Sequence, residues 1–304
     1  MNNKPLLEDL RLFCTVVRRR GFAASARELG VSNALISKRI AILEGVLQVK
    51  LLHRTTRSVS LTEQGDIVYQ RAQRILDEID RMSEDVSHVK ADLSGKLRLC
   101  TSSGFGRNRL APAISEFALR YPLLEIQLEL LDRPVDLVGE GFHLDIRIGR
   151  VSDANLIARR IARNVRVICA APAYLNRSGT PAELSELARH RCIEIRERDR
   201  DFGHWTLRGP NGIETVKVSG PLSASNGEIV HQWAIDGHGI TLRSLWDVAP
   251  SIDSGLLVRV LPQYEQEADV WAAYPSRLSS SAKVRVFVEF LEEWLDDKGI
   301  SKAH

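Results

Sequence analysis

Between Thr62 and Leu93 the chain runs without a proline, and Val68, Ala72, Ile75, Ile79, Met82, Val86, Val89 and Leu93 succeed one another at alternating steps of four and three. That spacing is the a/d seam of a coiled coil, in which successive turns return an apolar side chain to one narrow stripe. Thr62 is a good N-cap and acidic Glu63 suits the positive end of a helix, so the pattern predicts one long helix over residues 62–92. The positions between are charged, among them Arg71, Arg74, Glu78, Asp80 and Arg81, which leaves no wide apolar face for a globular core. Such a helix needs a partner helix, and a dimer is expected. It also partitions the chain into a module over residues 1–61 and a larger part over residues 93–304.

The first module carries "GFAASARELGVSNALISKRIAILE", two short helical patterns separated by Gly30-Val31-Ser32. Ala23 to Leu29 is rich in helix formers and stops at Gly30, which tolerates the left-handed conformation after a helix. Ser32 stands where an N-cap belongs. Ile36, Ile40, Leu43 and Leu47 then recur at helical spacing as a buried stripe, while Asn33, Ala34, Ser37, Lys38 and Ala41 make a small, polar opposite face. This suits a helix-turn-helix whose second helix enters the major groove of DNA, where Asn pairs with adenine, Lys with guanine and Ser or a methyl with either. The candidate DNA-binding residues on this helix are Ser32, Asn33, Ala34, Ser37, Lys38 and Arg39.

Charge separates that reading from a hairpin that merely has a polar face. Residues 1–61 hold eleven Lys or Arg against four acids, a net of +7, whereas the whole chain is +3. A basic surplus confined to one module is the footprint of phosphate binding. The following "KLLHRTTRSVSL" sets two β-prone runs, Lys50–Leu52 and Ser58–Leu61, around a cationic tip, and reads as a wing. Arg54 and Arg57 on that tip are expected to hold phosphates while the helix reads bases.

Residues 93–304 alternate strand and helix patterns in the manner of a mostly parallel α/β sheet. "KLRLCT", "LEIQLELL" and "LDIRIG" read as strands, with helices over Arg109–Arg120 and Val135–Glu140. After "NVRVICAAPAYL" come helix Pro181–Ala188, strand "CIEIRE", helix Glu228–Asp236 and strand "GITLRS", then strand "ADVWAAYP" and an amphipathic helix over Lys283–Asp297. The chain therefore crosses twice between two lobes, lobe I over 93–164 and 267–304 and lobe II over 165–266, with a ligand cleft at the strand carboxyl ends.

Other chemistry is thinly represented. Gly104-x-Gly106 follows a strand, but the third glycine and the downstream acid of a dinucleotide site are missing, and an anion site at Ser102 and Ser103 is the better reading. No nucleophile elbow, P-loop or paired-carboxylate pattern occurs, so no catalytic residue, metal or cofactor is expected. His204, His231 and His238 do not share a helical face as metal ligands. Cys14, Cys100, Cys169 and Cys192 lack metal or redox spacing and read as buried hydrophobes. No apolar run approaches ~20 residues and "MNNKPLLEDL" has no apolar signal region, so a cytoplasmic protein is expected. A competing reading, an enzyme or solute-binding protein with an attached basic dimerisation module, lacks a catalytic constellation and an export signal.

The order of these parts, with "FAASARELGVSNALISKRIAILE" and "LLHRTTRSVSLTEQG", resembles a LysR-type transcriptional regulator over essentially the whole chain. Further on, "SSGFGR", "LDIRIG", "ERD", "LSASNGEIVHQW" and "LRSLWDV" are similar to the subgroup containing the D-malate and tartrate utilisation regulators. The resemblance implies an N-terminal winged helix-turn-helix, a coiled-coil linker helix and a two-lobed effector domain like that of a periplasmic binding protein. It also implies a dimer of dimers on promoter DNA, a small organic acid in the lobe cleft and contact with RNA polymerase. Carried over by motif, the effector residues are Ser102, Ser103, Arg147, Ser225, Asn226, Arg243 and Ser244. Two arginines facing a dry cleft suit a dicarboxylate, although Arg147 has an alternative use in a structural ion pair with Asp145 or Asp132.

Overall fold

The computed structural model describes residues 5–19, 21–54, 59–86, 93–151, 153, 155–196, 203–278 and 281–299. The chain divides into two compact units, residues 1–92 with 138–141, and residues 93–137 with 142–304.

In the first unit, α1 (Leu7–Arg19), α2 (Phe22–Leu29) and α3 (Asn33–Leu47) close around Phe13, Val16, Ile36, Ile40 and Leu43, all fully buried. Gly30 ends α2 in the left-handed region at φ 65°, and Ser32 caps α3 by accepting from the Leu35 amide at 3.2 Å. Strands β1 (Leu52–Arg54) and β2 (Val59–Leu61) pair antiparallel as the wing. The long helix α4 (Glu63–Val86) follows, its N-terminus capped by Thr62 Oγ1, which accepts from Gly65 N at 2.8 Å and donates to the Lys50 carbonyl at 2.6 Å. Gly65 is required there, because a Cβ would stand 1.9 Å from the Leu51 carbonyl oxygen.

The start of α4 departs from the seam expected of it. Val68 and Ala72, with Tyr69 and Leu76, pack on the core of their own unit, and Tyr69 meets Phe13 edge-on with ring centroids 6.2 Å apart. Because Thr62 ties the helix to the wing, its first turns are held against α1 and do have an apolar face for a globular core. Farther along, Ile75 is 46% exposed. The seam positions Met82, Val86 and Val89 lie outside the described side chains.

The second unit contains two main sheets. One has the order β4-β3-β5-β15-β6, built from β3 (Gly95–Thr101), β4 (Leu124–Leu130), β5 (Leu144–Ile148), β6 (Leu156–Ala162) and β15 (Val270–Pro275). Here β3 runs parallel to β4 and β5, and β15 inserts antiparallel between β5 and β6. The other has the order β10-β9-β14-β7-β12, from β7 (Val165–Ala170), β9 (His204–Gly209), β10 (Gly212–Lys217), β12 (Thr241–Ser244) and β14 (Glu265–Glu267), with β13 (Val258–Arg259) also on β7. Its pairs are antiparallel, which corrects the mostly parallel expectation. The cause is local: β9 and β10 form a hairpin over Pro210-Asn211, and later strands return along β7. Only the short pair β8 (Glu194–Ile195) and β11 (Ser223–Ala224) and the Cys192–Ile240 bridge run parallel beside it among the described residues.

Helices complete the two lobes. A continuous helical rod starts at Ser103, earlier than expected, as α5 (Ser103–Phe105), a π-helical turn (Gly106–Leu110) and α6 (Ala111–Arg120). Pro112 has no N–H to donate back along the helix, consistent with the irregular turn preceding it. α10 (Ala282–Asp297) buries Phe287, Leu291 and Leu295 on the first sheet, and Phe287 meets Phe117 edge-on at 4.9 Å. α7 (Pro172–Ser178), α8 (Gly227–Ile235) and α9 (Leu245–Asp253) pack on the second.

Two expected helices are absent. Val135–Glu140 folds as turns, with Phe142 N donating to the Leu137 carbonyl at 2.9 Å and Gly141 at φ 70°. Pro181–Ala188 gives way to a 3-10 segment at Leu184–Arg189, drawn tight by the Glu186 carboxylate accepting from Ala182 N at 2.7 Å. The chain passes between the sheets after β6 and again before β15, and Asn164 joins these crossings. It is 4% exposed, donates to the Ala268 carbonyl at 2.8 Å and Ser244 Oγ at 3.1 Å, and takes the Asp269 carboxylate on its own N–H at 3.0 Å.

Candidate nucleic-acid interface and effector cleft

On α3 the hydrophobic stripe faces inward, and Asn33, Ala34, Leu35, Lys38, Ala41 and Ile42 are exposed on the other side. Lys38 has no acid partner among the described residues, so its charge faces outward. Three of the four acids within residues 1–61 are used internally. Glu28 takes Arg18 at 2.6 Å and also Arg19, and Asp9, 2% exposed, takes Arg39 at 2.6 Å. Glu44, 4% exposed, accepts from Lys50 Nζ at 2.7 Å and from Leu51 N at 3.0 Å. Burial pushes the Glu44 carboxyl upward, but these hydrogen bonds and the Lys50 charge outweigh it and hold the group below the usual carboxylate range. Within residues 1–61 most of the negative charge is thereby spent on internal bracing, and the outer surface of that module keeps the cationic surplus.

Arg39 accordingly differs from its neighbours on α3. Its guanidinium is committed to a buried acid on α1, so it fixes the orientation of the helix instead of standing free on the reading face. Ser32 likewise serves as the cap, whereas Asn33, Ala34 and Lys38 lie exposed and Ser37 is half-buried beside them. Arg57 lies outside the described residues, and Arg54 is described only through its backbone in β1.

In the second unit a cleft of about 90 Å³ opens at the carboxyl ends of β3, β5 and β12. That is far below the several hundred Å³ of a drug-sized or nucleotide pocket and suits a ligand of a few heavy atoms. Of the residues carried over by motif, Ser102, Arg147, Ser225, Arg243 and Ser244 line it. Arg150, Asp132, Ile195 and Trp246 also line it and were not anticipated as ligand contacts. Arg150 follows a strand end and Gly149 at φ 91°, a position at which α/β sheets place ligand groups, and that was the available signal.

The polar groups around the cleft are strongly pre-engaged. Arg147 donates through Nε and Nη2 to Asp145 Oδ2 at 3.1 and 2.9 Å, and Asp145 is fully buried. Arg243 makes the same two-pronged contact with Asp247 Oδ2 at 3.0 and 2.6 Å. Neither arginine is a bare cation facing the cleft, which revises the expectation drawn from sequence. Arg150 is exposed and has no acid partner among the described residues. Gly227 lets the Arg243 side chain pass, since a Cβ there would lie 2.4 Å from Arg243 Nη1.

The expected anion site at Ser103 is filled from within. Ser103 N donates to Asp132 Oδ1 at 2.9 Å, and Ser103 Oγ donates to Asp132 Oδ2 at 2.7 Å. Asn226 donates to the same Oδ2 at 2.9 Å through Nδ2, while its Oδ1 caps α8 by accepting from Glu228 N and Ile229 N. Ser244 Oγ accepts from Asn164. The four cysteines are buried, and burial pushes the thiols of Cys169 and Cys192 up to about 12, which removes them from thiolate chemistry.

Comparison with known proteins agrees with both halves of this description. Residues 7–66 match the family described as "Bacterial regulatory helix-turn-helix protein, lysR family", and residues 90–296 match the "LysR substrate binding domain". The chain is 54% identical over 294 residues to the "HTH-type transcriptional regulator DmlR" of Escherichia coli (strain K12), covering 97% of this chain and 96% of that protein. It is 45% identical over 298 residues to the "HTH-type transcriptional activator TtdR" of the same strain, covering 98% and 96%. Among solved structures, CrgA, a LysR-type transcriptional regulator from Neisseria meningitidis, is similar at TM-score 0.60 and 31% identity, over 95% of this chain and 98% of that one. The Vibrio cholerae virulence activator AphB is similar at TM-score 0.60 and 27% identity, over 94% and 98%. Among the described residues no helix is long and apolar enough to cross a membrane. The matches extend across both units and the relatives are named regulators, so the chain is a transcriptional regulator and not an enzyme. It belongs to the LysR family of bacterial helix-turn-helix proteins.

Proposed function

We propose that this regulator binds promoter DNA as a dimer or dimer of dimers and senses a small organic acid, a C4 dicarboxylate, in the cleft of its second unit. The observation that supports the acid reading is the composition of that small cleft. Arg147, Arg150 and Arg243 converge on it together with the hydroxyls of Ser102, Ser225 and Ser244, over apolar walls that include Ile195 and Trp246. Guanidinium groups hold carboxylates in fixed geometry, and a dry wall strengthens that contact. The similarity to the D-malate and tartrate utilisation regulators points to the same class of ligand.

On the DNA side, Asn33, Ser37 and Lys38 read base edges from α3, and Arg54 and Arg57 hold phosphates. Effector binding alters the bending of promoter DNA and the contact with RNA polymerase. Two measurements test the reading. Purified protein is expected to retard the intergenic DNA beside its own gene, and a calorimetric panel of C4 acids is expected to find one that binds and raises the melting temperature. Failure to retard that DNA removes the promoter assignment, and absence of heat with every acid removes the dicarboxylate assignment alone.

A further inference from the structure

The cleft that carries the acid reading also contains an acid of its own. Asp132 lines it together with Arg147, Arg150 and Arg243. Its carboxylate is held in place by three donors, the Ser103 amide, the Ser103 hydroxyl and the Asn226 amide group, at 2.7 to 2.9 Å. A carboxylate offers about four acceptor positions, so one remains, on Oδ1, which takes only the Ser103 amide among the described residues. The group is thus a fixed negative charge with spare capacity to accept a hydrogen bond.

We infer that Asp132 selects hydroxylated acids over their unsubstituted counterparts, resting on the small-acid reading above. An incoming hydroxyl donates to the open Oδ1 position in a charge-assisted bond, roughly twice as strong as one between neutral groups. A carboxylate placed there instead meets a like charge, which is the repulsive half of specificity. The ligand's carboxylates are therefore directed to the arginines, with Arg150 as the cation that has no acid partner among the described residues. Plain dicarboxylates of the same length gain the arginine contacts but leave the Asp132 acceptor unmatched. Asp132 acts as a specificity-determining residue, and the Ser103 and Asn226 donors fix where it points.

The test is titration calorimetry on the full-length protein with malate, tartrate and succinate, for wild type, Asp132→Ala and Asp132→Asn. Wild type is expected to bind malate or tartrate at least about tenfold more tightly than succinate, as a site built around a substrate hydroxyl does. In Asp132→Ala the Ser103 and Asn226 donors fall open to an anion, so succinate affinity rises and the preference shrinks to about twofold or less. Asp132→Asn keeps the side-chain shape, so it decides the matter should the alanine variant fail to fold. It removes the repulsion and weakens the hydroxyl acceptor, and the preference moves in the same direction. An unchanged ratio in the folded variants, or wild type binding succinate as well as malate and tartrate, overturns this inference and leaves the small-acid reading in place. Absence of heat from all three acids with wild type overturns both.

Discussion

Arg243 and Asp247 form a two-pronged pair across a strand-to-helix corner, with Nη2 to Oδ2 at 2.6 Å and side chains only 7% and 5% exposed. Arg243 is the penultimate residue of β12 at the cleft wall, while Asp247 sits in the first turn of α9 and also faces His231 Nδ1 at 3.6 Å. A guanidinium so held is aimed before any ligand arrives, and it enters the cleft with its charge already balanced. Burial pushes the Asp247 carboxyl upward, but the hydrogen bonds and charges of His231 and Arg243 outweigh it and hold the group below the usual carboxylate range.

The pH dependence follows from that direction. The folded-state pKa is lowered, so the ionised form contributes stability that is complete above the unfolded value, about pH 4, and is lost as pH falls through the folded value. Asp247→Asn is expected to cost the effector domain about 3 kcal/mol at neutral pH, because buried Arg243 loses the carboxylate that holds it in two hydrogen bonds. Below about pH 4 the difference from wild type should narrow. Thermal melts across pH 2 to 7 check this, and curves that stay parallel would contradict it.

The cleft arginines should separate by their partners. Arg150→Ala is expected to leave the melting temperature unchanged and to weaken binding of the acid by about 1.5–3 kcal/mol, the worth of a hydrogen bond to a charged group. Arg243→Ala should lose the response to effector and also destabilise the domain, because Asp247 is left buried without its main cation. DNA retardation by both variants should persist, since α3 belongs to the other unit. Melting curves and calorimetry on the two proteins distinguish these outcomes; equal destabilisation by both would be the contrary result.

On α3 a similar contrast applies one residue apart. Lys38→Ala is expected to leave folding intact and relax preference at particular base pairs by ~1–3 kcal/mol. Arg39→Ala should instead destabilise the helix-turn-helix by about 3 kcal/mol, because it strands Asp9, whose pKa burial raises even with Arg39 beside it. A binding-site selection with Lys38→Ala that returns the wild-type preference would remove the groove assignment.

Ile75→Asp combined with Ile79→Asp tests the seam farther along α4. Ile75 is 46% exposed, so a charge there costs little within one chain and much between two paired helices. Sedimentation is expected to show monomers whose effector domain melts normally but which no longer retard DNA. A double mutant that remains dimeric would contradict the coiled-coil role.

The helix-turn-helix was legible in detail because its determinants are local. Gly30 ends one helix, Ser32 begins the next, and the Ile36, Ile40 and Leu43 stripe selects the buried face, all within one continuous stretch. The seam of α4 was legible as a helix but not as a surface, since spacing does not say whether Val68 and Ala72 meet a partner chain or Phe13 of their own. The antiparallel second sheet escaped for a related reason, as strand pairing is a choice among distant segments that alternation alone does not make.

What sequence by itself determined about this protein is the helix-turn-helix, its cationic surplus and the long helix. What only the tertiary structure decided is which charges are spoken for. Asp145 on Arg147, Asp247 on Arg243 and Asp9 on Arg39 join residues whose partnership depends on a shared strand face, a strand-to-helix corner and two packed helices. Asp132 reaches Asn226 across 94 positions of chain. Charge is counted along the sequence, but the interaction between charges falls with distance and grows with burial. Whether an arginine is a free cation, a brace or a ligand contact is therefore settled by its neighbours in space.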